Sequence, residues 1–386
     1  MSVLRTCVTT GARADYGLLR PVMRALRDDE RFDLQVLVTG MHLSPEFGLT
    51  VTEIQADGFT VDEPVEMLLS SDTPVGVTKS LGLATIGIAE SLARLQPDLL
   101  VLLGDRYEML AAAQAALVAR IPVVHLFGGD VTEGAIDDAI RHAITKLAHL
   151  HFVTSEPAAR RVKQMGEDPA NVVNVGNPAL DDLVVFEPLA RADLEAALGL
   201  SLRRVNLLVT YHPVTLADEP PEAAGAELLT ALATLGADVG VVLTLPNADT
   251  RGRALLEQMR RFATDHANVV AHESLGQTRY WSCLKTFDAI VGNSSSALIE
   301  APAVGLPAVN IGARQQGRLR AERSTIDCPP DHPAIIDAIE AALAMGPVAT
   351  TSPYGDGAAT PRIIEHLAAI DDPSRYLMKQ FHMDIQ

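Results

Sequence analysis

Short, unbroken apolar runs recur along this chain with room for one helix between most of them, and this rhythm constrains the fold more than any other feature. In the first half the runs are Val36–Thr39, Leu99–Leu103, Val123–Leu126, His151–Val153 and Val172–Val175. The second half repeats the scheme with Val205–Thr210, Val241–Thr244, Val269–Ala271, Ala289–Val291 and Ala308–Ile311. A strand with one wet face alternates apolar and polar residues, whereas a continuous Val/Leu/Ile run suits a strand covered on both faces of a parallel sheet. Helical patterns at Leu18–Arg27, Tyr107–Arg120, Ala135–Ala148 and Ala223–Leu235 fall between the runs. The alternation predicts a doubly wound α/β architecture.

The rhythm pauses from Asn177 to Arg204, a stretch that reads as a connector and a short helix. At about 150 residues per domain, the length suits two α/β halves. The expected division is an N-terminal Rossmann-like domain over 1–178 and a second over 179–361, with a cleft between them suited to an elongated ligand. The Pro/Gly-rich stretch Thr350–Arg362 is a second junction. A helical tail, 362–386, is expected to cross it and pack back on the first domain.

Lys and Arg number 31 against 49 Asp and Glu, a net charge of −18. That argues against nucleic acid or an anionic membrane as a partner, since both need a basic face. Small anions need only a local group of donors. No apolar run approaches the roughly 18 residues of a membrane span. Cys7, Cys283 and Cys328 have neither CxxC nor zinc-ligand spacing. A cytoplasmic protein without metal or cofactor is the expectation.

Candidate chemistry gathers where strands turn into helices. After the first strand, TCVTTGARADYG places Gly11 and Arg13 at a helix start, where amides and a guanidinium can hold a phosphate. Taken alone, that motif is better explained by a tight turn with a solvated arginine. A fuller set lies in DAIVGNSSSALIE, where Ser294, Ser295 and Ser296 offer hydroxyls beside free helix amides. Glu300 follows within reach of ribose hydroxyls, and Arg314, Arg318 and Arg320 come next. His212, directly after the strand Val205–Thr210, can donate to a diphosphate. Together these favour phosphate binding over a capped helix with a solvated basic face.

Acid and base candidates lie in the first half. Asp105 ends a buried run and precedes Arg106 and Glu108. The segment GGDVTEGAIDDAIRH carries Asp130 and Glu133 into a helix with Asp137, Asp138 and Arg141. Asp137 and Arg141, four apart, share a helical face. Clustered carboxylates push their pKa values apart, which lets one act as acid and another as base. His142, His149 and His151 lack metal-ligand spacing and read as a polar network.

The motifs GARADYG, TGMHLS, LGDRYE, GGDVTEGAIDDAIRHAITKLAHLHF, GEDPANVVNVGNP, YHPVT and VGNSSSALIE…NIGARQQGR appear in one order from about Val3 to Arg320. In that combination the chain resembles the hydrolysing UDP-N-acetylglucosamine 2-epimerases of sialic acid biosynthesis and their legionaminic acid relatives. The resemblance implies a glycosyltransferase-B architecture of two Rossmann-like domains. It also implies a UDP-linked, alternatively GDP-linked, amino sugar as partner, and a homo-oligomer, dimer or tetramer. By motif, Arg13, His212, Ser294, Ser295 and Arg314 would hold the diphosphate and Glu300 the ribose. Asp105, Asp137 and Arg141 would serve the chemistry, with Asp130 and Glu133 beside them. His42, Arg106, Phe127 and His151 are candidates to line the sugar pocket.

The implied reaction eliminates UDP to a glycal and adds water with inversion at C2, without metal or nicotinamide. Family members commonly carry Glu, sometimes His, before Gly128-Gly129; this chain has Phe127, which transfers no proton. Ala12 likewise replaces a usual Ser or Thr. A nucleotide-sugar hydrolase, a non-hydrolysing 2-epimerase, a glycosyltransferase and a non-catalytic nucleotide-sugar binding protein are the alternatives.

Overall fold

The computed structural model describes residues 3–69, 71, 73–131, 136–212, 221–245, 253–349 and 352–383. The chain forms two compact units, Met1–Asp182 with Gly357–Gln386, and Leu183–Asp356. The first unit is built on β1 (Leu4–Thr10), β2 (Phe32–Thr39), β3 (Glu63–Val65), β4 (Leu99–Leu103), β5 (Val123–Leu126), β6 (Leu150–Val153) and β7 (Val172–Asn174). These make a seven-stranded parallel sheet in the order β3-β2-β1-β4-β5-β6-β7. The second contains β8 (Val205–Thr210), β9 (Val239–Thr244), β10 (Val269–His272), β11 (Ala289–Gly292), β12 (Ala308–Ile311) and β13 (Thr325–Cys328). Its six strands, also parallel, run β10-β9-β8-β11-β12-β13. Both are doubly wound α/β sheets.

The unbroken runs have the burial that their composition requires. Along β4, Leu99, Val101 and Leu103 enter the core on one face of the sheet, with Leu19, Met23 and Leu26 of the helix Arg13–Asp28. Leu100 and Leu102 enter the opposite core, with Ile88 and the alanines of the helix Tyr107–Ala119. Successive side chains of a strand alternate faces, so on a strand covered on both sides every position is buried and a polar residue needs an internal hydrogen-bond partner. Truncating Leu100 or Leu102 to Ala would cost about 2–5 kcal/mol through lost transfer energy and a residual cavity.

Among the strands without this signature are two edge strands. β3, with Pro64, and β13, with Asp327, close the edges of their sheets, where one side of the strand has no neighbour to bury it. The stretch expected as a connector with one short helix contains two, Ala179–Val185 and Arg191–Leu198, separated by Glu187-Pro188. The tail also differs from the long helix expected over 362–386. Its helix is Ala359–Ala368, packed on Arg13–Asp28, and Pro373 then opens a 3-10 turn, Pro373–Leu377. Proline has no amide hydrogen to continue the helical ladder and disfavours helical backbone before it. Beyond the turn, Lys379 Nζ donates to the carbonyls of Lys146 and Ala148 at 2.8 and 2.6 Å. Asp181 accepts from the backbone amides of Ala359 and Thr360 at 2.9 and 2.5 Å, joining the segment that leaves this unit to the one that returns.

Candidate active site

In each sheet the strand order reverses once: between β1 and β4 in the first unit and between β8 and β11 in the second. Helices from adjacent strands leave to opposite sides there, opening a crevice beyond the strand carboxyl ends where ligands of open α/β sheets bind. Most of the candidate residues lie on the loops at or beside these points.

In the first unit, Asp105 follows β4 through Gly104, whose φ of +82° suits a residue without Cβ. Arg141, on the helix Ile136–Leu147, donates from Nη2 to Asp105 Oδ2. Its Nη1 donates to the Asp130 carbonyl at 2.9 Å and lies 3.6 Å from Asp138 Oδ1. The guanidinium is thus almost enclosed, its side chain 7% exposed, among a carbonyl and two carboxylates. The Asp130 carboxylate accepts from Thr154 Oγ1 at 2.9 Å. The carboxylate paired with Arg141 along its own helix is therefore Asp138, three residues before it, rather than Asp137. Both spacings share a helical face; the packing of the guanidinium selects between them. Glu133 lies outside the described residues.

Arg13 opens its helix and is exposed, with Nε 3.3 Å from Glu53 Oε2. Ala12 cannot cap that helix; Asp15 takes over, accepting from the amides of Gly11 and Ala12 at 2.8 and 2.7 Å. Arg106 donates from Nε to Glu108, which is wholly buried, and burial pushes the Glu108 pKa up. A Cβ on Gly11 would meet Glu108 Cγ at 2.6 Å, so only glycine fits where this turn crosses the glutamate. Asp15 does not stand out in the sequence, because a carboxylate in the first turn of a helix is commonplace.

Two residues expected to line a sugar pocket are interior instead. His42 is fully buried, with Nε2 3.0 Å from Thr10 Oγ1 and Nδ1 2.7 Å from Thr50 Oγ1; burial pushes its pKa down to about 4. His151 is fully buried on β6, its Nε2 2.9 Å from Glu167. Lys146 and Lys379 each reach the same carboxylate at 2.6 Å. His42 is engaged at both ring nitrogens and His151 at Nε2, and neither ring presents surface to a ligand. Phe127, by contrast, is half-buried at the end of β5, with φ at +67° and its amide donating to the Phe152 carbonyl at 3.1 Å. A bulky residue in left-handed backbone is strained, and such strain persists where the surroundings enforce it.

The second unit is organised by Asn293, a buried residue absent from the sequence-based candidates. Its Oδ1 accepts from the His212 amide at 2.7 Å and its Nδ2 donates to the His212 carbonyl at 2.8 Å. Its own carbonyl accepts from Arg314 Nη1 at 3.0 Å and from Gln315 Nε2 at 2.8 Å. One asparagine thus gathers the loops after β8, β11 and β12. Gly292 before it has φ +138°, and a Cβ there would come within 1.9 Å of the Thr210 carbonyl, so β11 and β8 close up only around glycine. A polar residue ending a buried apolar run was the available signal.

Among the described residues, Arg314 pairs with no carboxylate, and burial together with the Arg318 charge lowers its pKa. Burial and the nearby Arg314 also lower that of His212, leaving the imidazole neutral near pH 7. Ser294 Oγ accepts from the Ser296 amide at 3.3 Å, while Ser295 precedes the helix Ser296–Ala303 without a side-chain cap. This is a site short of negative charge. Arg320 is separate, paired with Asp327 at 3.2 Å. Glu300 accepts from Trp281 Nε1 at 3.1 Å, and Phe186 meets the indole edge-on at 5.5 Å. No three His, Cys, Asp or Glu converge as a metal site among the described residues.

Residues 24–368 match the family model described as UDP-N-acetylglucosamine 2-epimerase. The chain belongs to this family. A hydrolysing GDP/UDP-N,N'-diacetylbacillosamine 2-epimerase of Campylobacter jejuni is 39% identical over 83% of this chain and 84% of its own. The hydrolysing UDP-N,N'-diacetylbacillosamine 2-epimerase of Legionella pneumophila is 36% identical, covering 96% and 97%. The fold is that of solved 2-epimerases: the Neisseria meningitidis enzyme, bound to UDP-GlcNAc, superposes with a TM-score of 0.75 at 19% identity over 94% of this chain and 99% of its own. That of Methanocaldococcus jannaschii gives 0.76 at 18% over the same shares.

For a 2-epimerase family enzyme the two clusters have complementary chemistry. The first unit holds carboxylates around a nearly enclosed guanidinium, a setting for moving protons. The second presents a carboxylate-free arginine, a neutral imidazole, hydroxyls and helix amides, which suits the charge of a diphosphate.

Proposed function

We propose that this 2-epimerase family member is a hydrolysing nucleotide-sugar 2-epimerase, converting a UDP-linked 2-acetamido sugar and water into UDP and the free sugar inverted at C2. The observation that carries this reading is the nearly enclosed Arg141 holding Asp105, Asp138 and the Asp130 carbonyl in one cluster. Its near-full-length Legionella relative is a hydrolysing 2-epimerase of a diacetamido sugar, which favours a substrate with a second acetamido group.

Each step draws on a named group. Arg314, His212 and the hydroxyls of Ser294 and Ser295 take the diphosphate, and Arg13 adds a further cation. Glu300 takes the ribose. A carboxylate, Asp105 or Asp137, removes the C2 proton; the C–H electrons form the C1–C2 double bond as the C1–O pair leaves with UDP. Cationic and amide donors stabilise the charge that develops on the departing diphosphate. Water then adds to C1, its proton passing to a carboxylate, while C2 is reprotonated from the opposite face. Asp130 and Glu133 are the groups nearest in sequence to take the role that Phe127 cannot fill. Arg106 and Phe127 line the sugar site. The enzyme works in the cytoplasm as a homo-oligomer, dimer or tetramer, which light scattering tests.

Incubation in D2O with UDP-GlcNAc, UDP-N,N'-diacetylbacillosamine and their GDP counterparts, followed by proton NMR, tests the reading. The expected result is acceptor-independent release of UDP with deuterium at C2 of a free, inverted sugar. Free sugar with retained C2 hydrogen would make it a simple hydrolase. A product still linked to UDP would make it a non-hydrolysing epimerase, and binding without turnover a sensor.

A further inference from the structure

His125 lies on β5, fully buried and unused by the steps above. Its Nε2 is 2.8 Å from the Gly104 carbonyl. A carbonyl only accepts, so this nitrogen carries the proton. Nδ1 then accepts, and Thr145 Oγ1 faces it at 3.2 Å. The same hydroxyl lies 3.0 Å from the Arg141 carbonyl, one turn back on the helix Ile136–Leu147. Burial holds the ring pKa down to about 3, so the imidazole stays neutral across the working range.

These contacts meet at the proton-handling pair. The Gly104 carbonyl belongs to the peptide plane that joins Gly104 to Asp105, so its orientation sets where the Asp105 side chain starts. The Gly104 amide is held too, donating to the Leu126 carbonyl of the same strand at 3.0 Å. The single hydroxyl proton of Thr145 is shared between His125 Nδ1 and the Arg141 carbonyl, so Thr145 stands between the strand and the helix turn that carries Arg141. Gly128 closes over both groups: a Cβ there would lie 3.1 Å from His125 Nδ1 and 3.1 Å from Thr145 Oγ1. A histidine that merely filled the core would need one polar partner anywhere, whereas this one contacts the carbonyl that precedes Asp105 and the hydroxyl that reaches the Arg141 carbonyl.

We infer that His125 is a positioning residue, which in its neutral Nε2–H form orients the Gly104–Asp105 peptide and, through Thr145, the helix segment bearing Arg141. The inference rests on the proposed function for its catalytic consequence but not for its geometry.

The test is a set of variants with two independent readouts. In UDP release, His125→Phe lowers kcat about 100-fold, the scale of an ångström-level misplacement of reacting groups. KM and UDP affinity stay unchanged, because the nucleotide cluster lies on the other unit. His125→Gln, which keeps an N–H donor, restores most of the rate; Thr145→Val gives a smaller loss that Thr145→Ser reverses. By NMR, the wild-type His125 ring shows the neutral Nε2–H tautomer, and the Asp105 carboxyl carbon signal moves in His125→Phe and returns in His125→Gln. Wild-type kcat in a folded His125→Phe, an equal loss of UDP affinity, an Nδ1–H tautomer or an unmoved Asp105 signal would each overturn the inference. If the wild-type protein turns over no nucleotide sugar, the proposed function fails and the NMR arm still decides the positioning role.

Discussion

The two units share one construction, a parallel sheet with a single reversal of strand order, yet their strand-end clusters have opposite charge logic. In the first, Arg141 is nearly enclosed and its charge is taken up by Asp105 and Asp138. In the second, Arg314 leans on a neutral carbonyl and the electrostatics ask for an anion. The fold supplies the places; the residues on the loops decide what each place does. A chain of net charge −18 therefore presents a cationic site without contradiction, because charge acts at the scale of a few ångströms when water is partly excluded.

The comparison can be broken at either end. The largest effect is expected from Asp105→Asn, which removes a carboxylate from the cluster around Arg141. UDP release should fall about 10²–10⁴-fold, the usual worth of a general acid or base, while calorimetric UDP affinity stays constant. Parallel loss of affinity would mean that the two clusters do not divide the work. Arg141→Met should leave the carboxylates crowded without their cation and destabilise the protein by about 3–5 kcal/mol, read as a lower urea midpoint. Arg314→Ala should weaken UDP binding about 10- to 100-fold, the loss of one charge-assisted hydrogen bond of about 1.5–3 kcal/mol. Its urea midpoint should not move, since no carboxylate is left unpaired.

Acid provides a subtler contrast. His42 and His149 are held down to about 4 by burial, and His149 Nδ1 accepts from the Val123 amide at 3.1 Å, which requires the neutral ring. An unfolded histidine titrates near 6.5, so below that pH the unfolded chain binds more protons and the first unit loses stability progressively toward about pH 4. Glu167 adds its share later. Burial alone would raise its pKa, but hydrogen bonds from His151, Lys146 and Lys379 override that and hold it at about 2. Its stabilisation is present above the ordinary glutamate value and is lost as pH falls toward 2. Urea titrations between pH 7 and 5 should therefore show falling stability in the wild type and a shallower slope in His149→Gln. An equal slope would remove His149 from this account. The smallest change is expected from Arg13→Ala, whose exposed pairing with Glu53 contributes less than about 1 kcal/mol to stability.

Most of the architecture was legible because it follows from composition at short range. Leu99–Leu103 and Val205–Thr210 can be little else than strands covered on both faces, and they match β4 and β8 residue for residue. The edge strands β3 and β13 were not legible, because a strand with one neighbour needs no apolar continuity. The tail read as one helix because Pro373 is the only strong interruption in it. At the candidate sites, Asp105, Arg141, His212 and Arg314 could be named from motifs. Asn293 could not, since its importance lies in which loops it touches, and neither could the choice of Asp138 over Asp137 as the helical partner of Arg141.

The sequence by itself determined the alternation of strands and helices, the family and the residue types at each strand end, because periodicity and local motifs are properties of neighbouring residues. Only the tertiary structure decided which groups face one another: that Asn293 gathers three loops, that His42 and His151 turn inward to internal partners, and that Phe127 stands in left-handed backbone just after β5. Such pairings depend on sheet order and on which side chains are sealed from water, and residues far apart in the chain have no short-range pattern that records them.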